Sequence, residues 1–374
     1  MLMNRCKGGF ISALFILLLP TALSAQELPL HLLNLPEGFK VSVYAQGVET
    51  ARQMALSPDG VLYVGTRKGG GRVYRIFDDN KDYVGDRTEV IAEGLNSPNG
   101  VTFRGDDLYV GEIHRITKFP NIDQQKGEIK TEVIYDKLSR NGWHGWKYIK
   151  FGPDGKLYIP IGGPCNVCEH VDERFATIAR LDVDTKEFDI FARGIRNSVG
   201  IDWHPENEEL WFTDNGRDNL GDNLPPDELN HAPKKGMHFG FPYCHGKGIK
   251  DPEFGDKRAC STITLAAQEL GPHVASLGMI FYRGDMFPVE YQNQIFIAEH
   301  GSWNRSTKIG YRVSLVKLKE NKPISYETFI DGWLDLPESV WGRPVDILEM
   351  SDGSILISDD YLGTIFRITY SQED

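Results

Sequence analysis

With 374 residues, 40% of them apolar and 25% charged, the chain has the composition of an ordinary globular protein large enough to bury a substantial core. A formal net charge of −12 disfavours nucleic acid and anionic lipid as partners, because an acidic surface repels both. There is no P-loop, no glycine-rich dinucleotide turn after a strand and no HExxH helix, so the common nucleotide and zinc chemistries have no motif to carry them.

The chain opens on Arg5 and Lys7, followed by an apolar stretch from Phe10 to Leu23 and the small residues Ala22-Leu23-Ser24-Ala25. That pattern predicts a signal peptide over residues 1–25, cleaved before Gln26, and a periplasmic or secreted protein. No second long apolar run follows, so no membrane span is expected. Four cysteines remain after cleavage, Cys165, Cys168, Cys244 and Cys260. In an oxidising compartment Cys165–Cys168 and Cys244–Cys260 are the economical pairing among the three possible. Haem attachment through CNVC would need His where Glu169 stands, and zinc would need ligands beyond His170.

After the leader, FKVSVYA (39–45) reads as a strand, and then one short apolar strand recurs six times. The copies are LYVG (62–65), LYVG (108–111), LYIP (157–160), LWFT (210–213), IFIA (295–298) and ILIS (355–358). Most follow a turn signal, namely SPDG at 57, RGDD at 104, GPDG at 152, HPEN at 204 and MSDG at 350. Further strands with half-buried alternation follow, such as RVYRIF (72–77) and TEVIAEG (88–94), or ATIARLDV (176–183) and EFDIFARG (187–194). Repeats at intervals of 46 to 85 residues suit four-stranded blades with insertions. The expected architecture is therefore all-β: a six-bladed β-propeller of antiparallel blades, its ring closed by an N-terminal strand that completes the last blade. One domain over 26–374 is expected, with a long loop insertion at about 215–277.

In antiparallel blades the loop entering the first strand and the loop leaving the second emerge at the same end. The entering loops carry Asn99, His144, Arg196, Asn197, His273 and Arg343. The leaving loops carry Glu112, His114, the CNVCEH segment, Asn215, Gly216, Arg217, the run HGSWNR (300–305), Asp359 and Asp360. Each has a bland explanation: His144 as a packed core histidine, Arg196 and Arg343 as blade-to-blade ion pairs, Asn197 as a turn cap. Convergence on one face is what raises a binding site above those explanations.

These motifs also resemble a known family. The runs ARGIRNSVGIDWHPENEELWFTDNGRD with DELN after it, HGSWNR, and GRPVDILEMSDGSILISDDYLGTIFRITY resemble the glucose and sorbosone dehydrogenases, six-bladed propellers that bind pyrroloquinoline quinone (PQQ). The chain looks most like the L-sorbosone dehydrogenase and soluble aldose sugar dehydrogenase members, and GGPCNVCE with FPYCHG points towards the sorbosone-like branch. The resemblance implies an exported PQQ- and Ca²⁺-dependent enzyme that oxidises a sugar or sugar aldehyde, a small-molecule substrate, and an electron acceptor that it leaves open. It makes His144 the general base and Arg196 the cation beside the reacting quinone oxygen. Asn197 and Arg343 would orient the cofactor, with Arg305 in place of the lysine that glucose-oxidising members supply from the fifth blade. Gly216 and Arg217 would offer carbonyl oxygens to calcium, with Asp227 and Glu228 either supporting those ligands from behind or binding a second ion. Asn99 aligns loosely with a substrate contact.

Two other classes remain open. A metal-dependent lactonase or other hydrolase would gather Glu112, Asn197, Asn215 and Asp346 around one ion in the channel. A non-catalytic binding propeller would leave His144, Arg196 and Arg343 on one face without a shared purpose.

Overall fold

The computed structural model describes residues 28–67, 70–335 and 339–372; the expected signal peptide lies outside the described residues. Six four-stranded antiparallel sheets form the ring of a six-bladed β-propeller. The first five blades run in simple chain order. Blade one, for example, comprises Ala51–Leu56, Leu62–Thr66, Val73–Phe77 and Arg87–Ala92. The sixth combines Pro344–Glu349, Ile355–Asp359 and Thr364–Tyr370 with Phe39–Gln46 as its outer strand. Phe39 pairs with Tyr370, Val41 with Ile368 and Val43 with Phe366, so the N-terminal strand closes the ring as expected.

The six recurring apolar strands are the second strands of the blades. Neighbouring blades cover both of their faces, and every residue of Leu62–Thr66, Leu157–Ile161, Leu210–Asp214, Ile295–Glu299 and Ile355–Asp359 is buried. That double burial is why they read as unbroken apolar runs rather than alternating ones. Outer strands keep an exposed face, as Arg87–Ala92 does. Closure also draws on side chains: Phe39 meets Phe287 and Phe329 edge-to-face at 4.8 and 5.0 Å, which ties blade six to blade five. Burial of that ring contributes about 1.5–3 kcal/mol.

The stretch expected as one insertion at about 215–277 is divided. Pro226–Ala232 and Gln268–Pro272 are the third and fourth strands of blade four. Polar residues dominate them, so they carried no apolar signal. Only the segment between them departs from the blade plan. It folds over a short hairpin, Cys244–His245 with Ile249–Lys250, and is closed by the Cys244–Cys260 disulfide. The Cys165–Cys168 disulfide is present as well. Among the described residues no helix is long and apolar enough to cross a membrane.

Candidate active site

Loops entering first strands and leaving second strands meet at one end of the channel around a cleft of about 480 Å³. An acidic side chain at the end of a second strand ties several entering loops in place. Asp214 accepts from the backbone N–H of Arg196 (2.8 Å) and of Asn197 (2.6 Å). Asp359 accepts from the N–H of Arg343 at 2.5 Å, and Glu112 from that of Asn96 at 2.7 Å. The carboxylates therefore satisfy loop N–H groups that the strand ladder leaves unpaired.

His144, Arg196, Asn197, Asn215, Gly216, Asp227, His273, His300 and Arg343 all line the cleft. His144 adopts a positive φ of 47°, an uncommon conformation for a side-chain-bearing residue that is a frequent mark of functional positions. Its Nδ1 lies 2.9 Å from the carbonyl oxygen of Gly163. A carbonyl only accepts, so Nδ1 carries the hydrogen and Nε2 keeps its lone pair. Burial, together with the nearby Arg196 charge, pushes the imidazole down to about 3, so the ring is neutral across the physiological range.

Arg196 is almost fully buried and makes four hydrogen bonds. Nε donates to the Asn166 carbonyl (2.9 Å), one terminal nitrogen to the Asn215 carbonyl (3.2 Å), and the other to Asn166 Oδ1 (2.9 Å) and Asp218 Oδ2 (3.0 Å). Of its five N–H donors one remains for a ligand. Arg343 donates to the carbonyls of His300 and Gly301, each at 3.1 Å, and retains more free donors than Arg196.

Two further arginines line the cleft that the sequence reading did not select. Arg52 is buried and pairs with Asp360 at 3.0 Å; Asp360 also accepts from His300 Nε2 at 2.7 Å. The Arg67 guanidinium carbon lies over Trp146, 3.7 Å from the ring centre, and its Nε has no partner among the described residues. Burial and the Arg52 and Arg343 charges draw its guanidinium down to about 10. A signal for Arg67 was present, since it follows the second strand of blade one just as Glu112 follows that of blade two. Trp143 and Trp303, 52% and 74% exposed, complete the rim.

Four predicted residues sit elsewhere. Asn99 is buried away from the cleft, its Oδ1 accepting from Arg52 Nε (2.9 Å) and its Nδ2 donating to the Lys147 carbonyl (3.0 Å). It thus supports Arg52 rather than facing the cleft. In the HGSWNR loop His300, Gly301 and Trp303 face the cleft, whereas Arg305 donates to the carbonyls of Asp222 and Thr307. The Arg217 side chain pairs with Asp251 (2.7 Å) and Glu253 (2.9 Å). Glu228 lies in a small void beneath Gly216 and accepts from the Gly246 N–H and Asn230 Nδ2.

Asp227 lines the cleft, accepting from Gly216 N–H through Oδ1 and Ser276 N–H through Oδ2, each at 2.9 Å. Burial pushes Asp227 up to about 6 and Glu228 up to about 8, the latter also through the neighbouring Asp214 charge. The arrangement wanted by a channel hydrolase does not form, because Glu112 and Asp346 are absent from the cleft lining. Glu112 is held by Arg115 and Thr117, and Asp346 by the Met54 N–H.

Comparison with known proteins agrees with the propeller fold. An uncharacterized protein of Borreliella burgdorferi is 36% identical over 98% of this chain and 100% of its own length. The AA12 carbohydrate-active enzyme of Trichoderma reesei superposes with a TM-score of 0.80 at 17% identity, over 93% of this chain and all of that one. The PQQ domain of pyranose dehydrogenase from Coprinopsis cinerea, in its holo form, gives 0.76 at 18% identity over 90% and 97%. The family model described as TrAA12-like matches residues 33–370, nearly the whole ring, and the chain belongs to that family.

Proposed function

We propose that this chain is an exported dehydrogenase that oxidises a sugar or sugar aldehyde using pyrroloquinoline quinone and calcium. The observation that carries the proposal is a neutral His144 beside four arginines, Arg52, Arg67, Arg196 and Arg343, in one cleft of an acidic protein. Membership of the TrAA12-like family supports the redox class, and the holo pyranose dehydrogenase domain shares the fold. Two disulfides support the exported setting.

The residues present fit the cofactor. PQQ is a planar tricarboxylate, and Arg67 has a buried Nε without a partner among the described residues, as a guanidinium awaiting a carboxylate would. Trp143 and Trp146 offer aromatic faces in the same cleft. Calcium fits less through side chains than through carbonyl oxygens. Among the described residues no three His, Cys, Asp or Glu side chains are arranged to hold an ion. We assign the Gly216 and Arg217 carbonyls to it, with the buried carboxyl groups of Asp227 and Glu228 nearby.

When bound, the quinone supplies the hydride acceptor. The chain supplies the rest. His144 would accept at Nε2 the proton of the sugar O–H as the carbon bearing that oxygen gives up its hydride, and its Nδ1–H bond to Gly163 keeps the required tautomer. Arg196 holds fixed positive charge where negative charge develops, already oriented by four hydrogen bonds and so needing little reorganisation. Asn197, Arg67 and Arg343 orient the cofactor, the arginines through its carboxylates.

The test is reconstitution of the mature protein with quinone and calcium, followed by dye reduction with aldoses and with sorbosone. Cofactor absorbance and sugar-dependent dye reduction are expected. Absence of both would overturn the proposal, and lactone hydrolysis in their place would favour the hydrolase class.

A further inference from the structure

The loop between the second and third strands of blade three, residues 162–176, has no regular secondary structure, yet it holds both reacting side chains. The Gly163 carbonyl accepts from His144 Nδ1 (2.9 Å), and the Gly163 N–H donates to the Arg196 carbonyl (2.7 Å). Three residues on, Asn166 makes two of the four bonds to the Arg196 guanidinium, from Nε to its carbonyl and from a terminal nitrogen to its Oδ1. Asn166 also grips the counter-ion. Its Oδ1 accepts from the Asp218 N–H (2.8 Å), and its Nδ2 donates to the Asp218 carbonyl (3.1 Å). Asp218 in turn pairs with Arg196 at 3.0 Å. Asn166 lies between Cys165 and Cys168, which close a disulfide across it.

We propose that Asn166 is a positioning residue that sets the direction of the Arg196 guanidinium, and that the Cys165–Cys168 disulfide is the clamp that keeps Asn166 in place. The physical reason is the absence of a ladder here. A strand would fix a carbonyl through its ladder partners, whereas the backbone at Asn166 has no ladder, and the covalent ring is what adds restraint there. An arginine side chain has several rotatable bonds, and oriented donors contribute to catalysis only when they need not reorganise. The inference rests on the proposed dehydrogenase reading for its kinetic consequence, though not for its structural one.

The experiment compares wild type with Asn166→Ala, Asn166→Asp and the double variant Cys165→Ser/Cys168→Ser, all in the full mature chain. Quinone affinity is read from quenching of the cleft tryptophans, and turnover from dye reduction. Asn166→Ala is expected to lower kcat about 30-fold and quinone affinity about 10-fold, with the sugar KM within about two-fold. Asn166→Asp keeps the Oδ1 acceptor but loses the Nδ2–H donor to the Asp218 carbonyl, so kcat should fall between that of wild type and that of Asn166→Ala. The double cysteine variant should follow Asn166→Ala. A crystal structure of Asn166→Ala should show Arg196 turned from its present position.

A role in stability alone would lower Tm while leaving the kcat, KM and quinone affinity of the folded fraction unchanged, and that result overturns the inference. So does a crystal structure with Arg196 unmoved. If the wild type neither binds quinone nor reduces dye, the dehydrogenase reading fails, and the position of Arg196 in the variant structure still decides the positioning claim.

Discussion

The Nδ1 of His144 lies 2.9 Å from the carbonyl oxygen of Gly163, and this one bond decides which ring nitrogen can act as a base. With the hydrogen held on Nδ1, Nε2 is the nitrogen left to accept a proton. Burial, together with the Arg196 charge beside the ring, keeps it neutral, so the Nε2 lone pair is free at any pH near neutrality.

Replacing His144 with Ala should leave the quinone bound, because the arginines that would hold its carboxylates are untouched. Turnover should fall by at least about two orders of magnitude, as removal of a general base does. Dye reduction measured beside cofactor absorbance checks both halves.

Gly162 backs onto His144. A Cβ added at Gly162 would sit 2.4 Å from the His144 Cβ and 2.8 Å from its carbonyl oxygen, too close for either to stay. Gly162→Ala should cost about 1–3 kcal/mol through overpacking, seen as a lower denaturation midpoint, and should lower kcat by displacing the base. An unchanged midpoint with full activity would refute the close contact.

Acid should weaken the fold partly through His144. Its folded value is near 3, whereas a free imidazole titrates near 6.5. Between those values the unfolded chain binds the extra proton and the folded one does not. The stability is therefore complete above pH of about 6.5 and is lost as pH falls towards 3. At pH 5 the single group costs about 2 kcal/mol. In His144→Gln the drop in unfolding free energy from pH 7 to pH 5 should be smaller by that amount, measured by urea titration.

Among the described residues Arg67 makes no ion pair, and its Nε has no partner. Arg67→Ala should therefore leave Tm within a few degrees of wild type while weakening quinone binding about 10- to 100-fold, as loss of a charge-assisted hydrogen bond would. The quinone affinity of wild type should also fall with added salt more steeply than that of the variant.

Much of the molecule was legible from its sequence, for identifiable reasons. The second strands are buried on both faces, so their apolar runs announced six blades. Phe39–Gln46 alternated well enough to announce the closing strand. Antiparallel geometry then assigned loops to ends, which placed His144, Arg196, Asn197, Gly216 and Arg343 on one face. The third and fourth strands of blade four were not legible, because Pro226–Ala232 is rich in polar residues whose burial depends on hydrogen-bond partners distant in the chain. Loop membership also could not say which way a side chain turns. Arg305 and Asn99 are on loops at the correct end, yet Asp222 and Arg52 hold them out of the cleft.

By itself, then, the sequence determined the class of fold and the face on which the polar loop residues converge, since these depend on periodicity and on spacing along the chain. Tertiary structure alone decided the roles of the acidic residues that end second strands: Glu112, Asp214 and Asp359 hold the entering loops by backbone hydrogen bonds. It also decided that Arg52 and Arg67 join the cleft, and that one loop, which carries the Cys165–Cys168 disulfide, supports both His144 and Arg196. Each of these depends on side-chain direction and on partners in neighbouring blades, and such contacts exist only once the ring has closed.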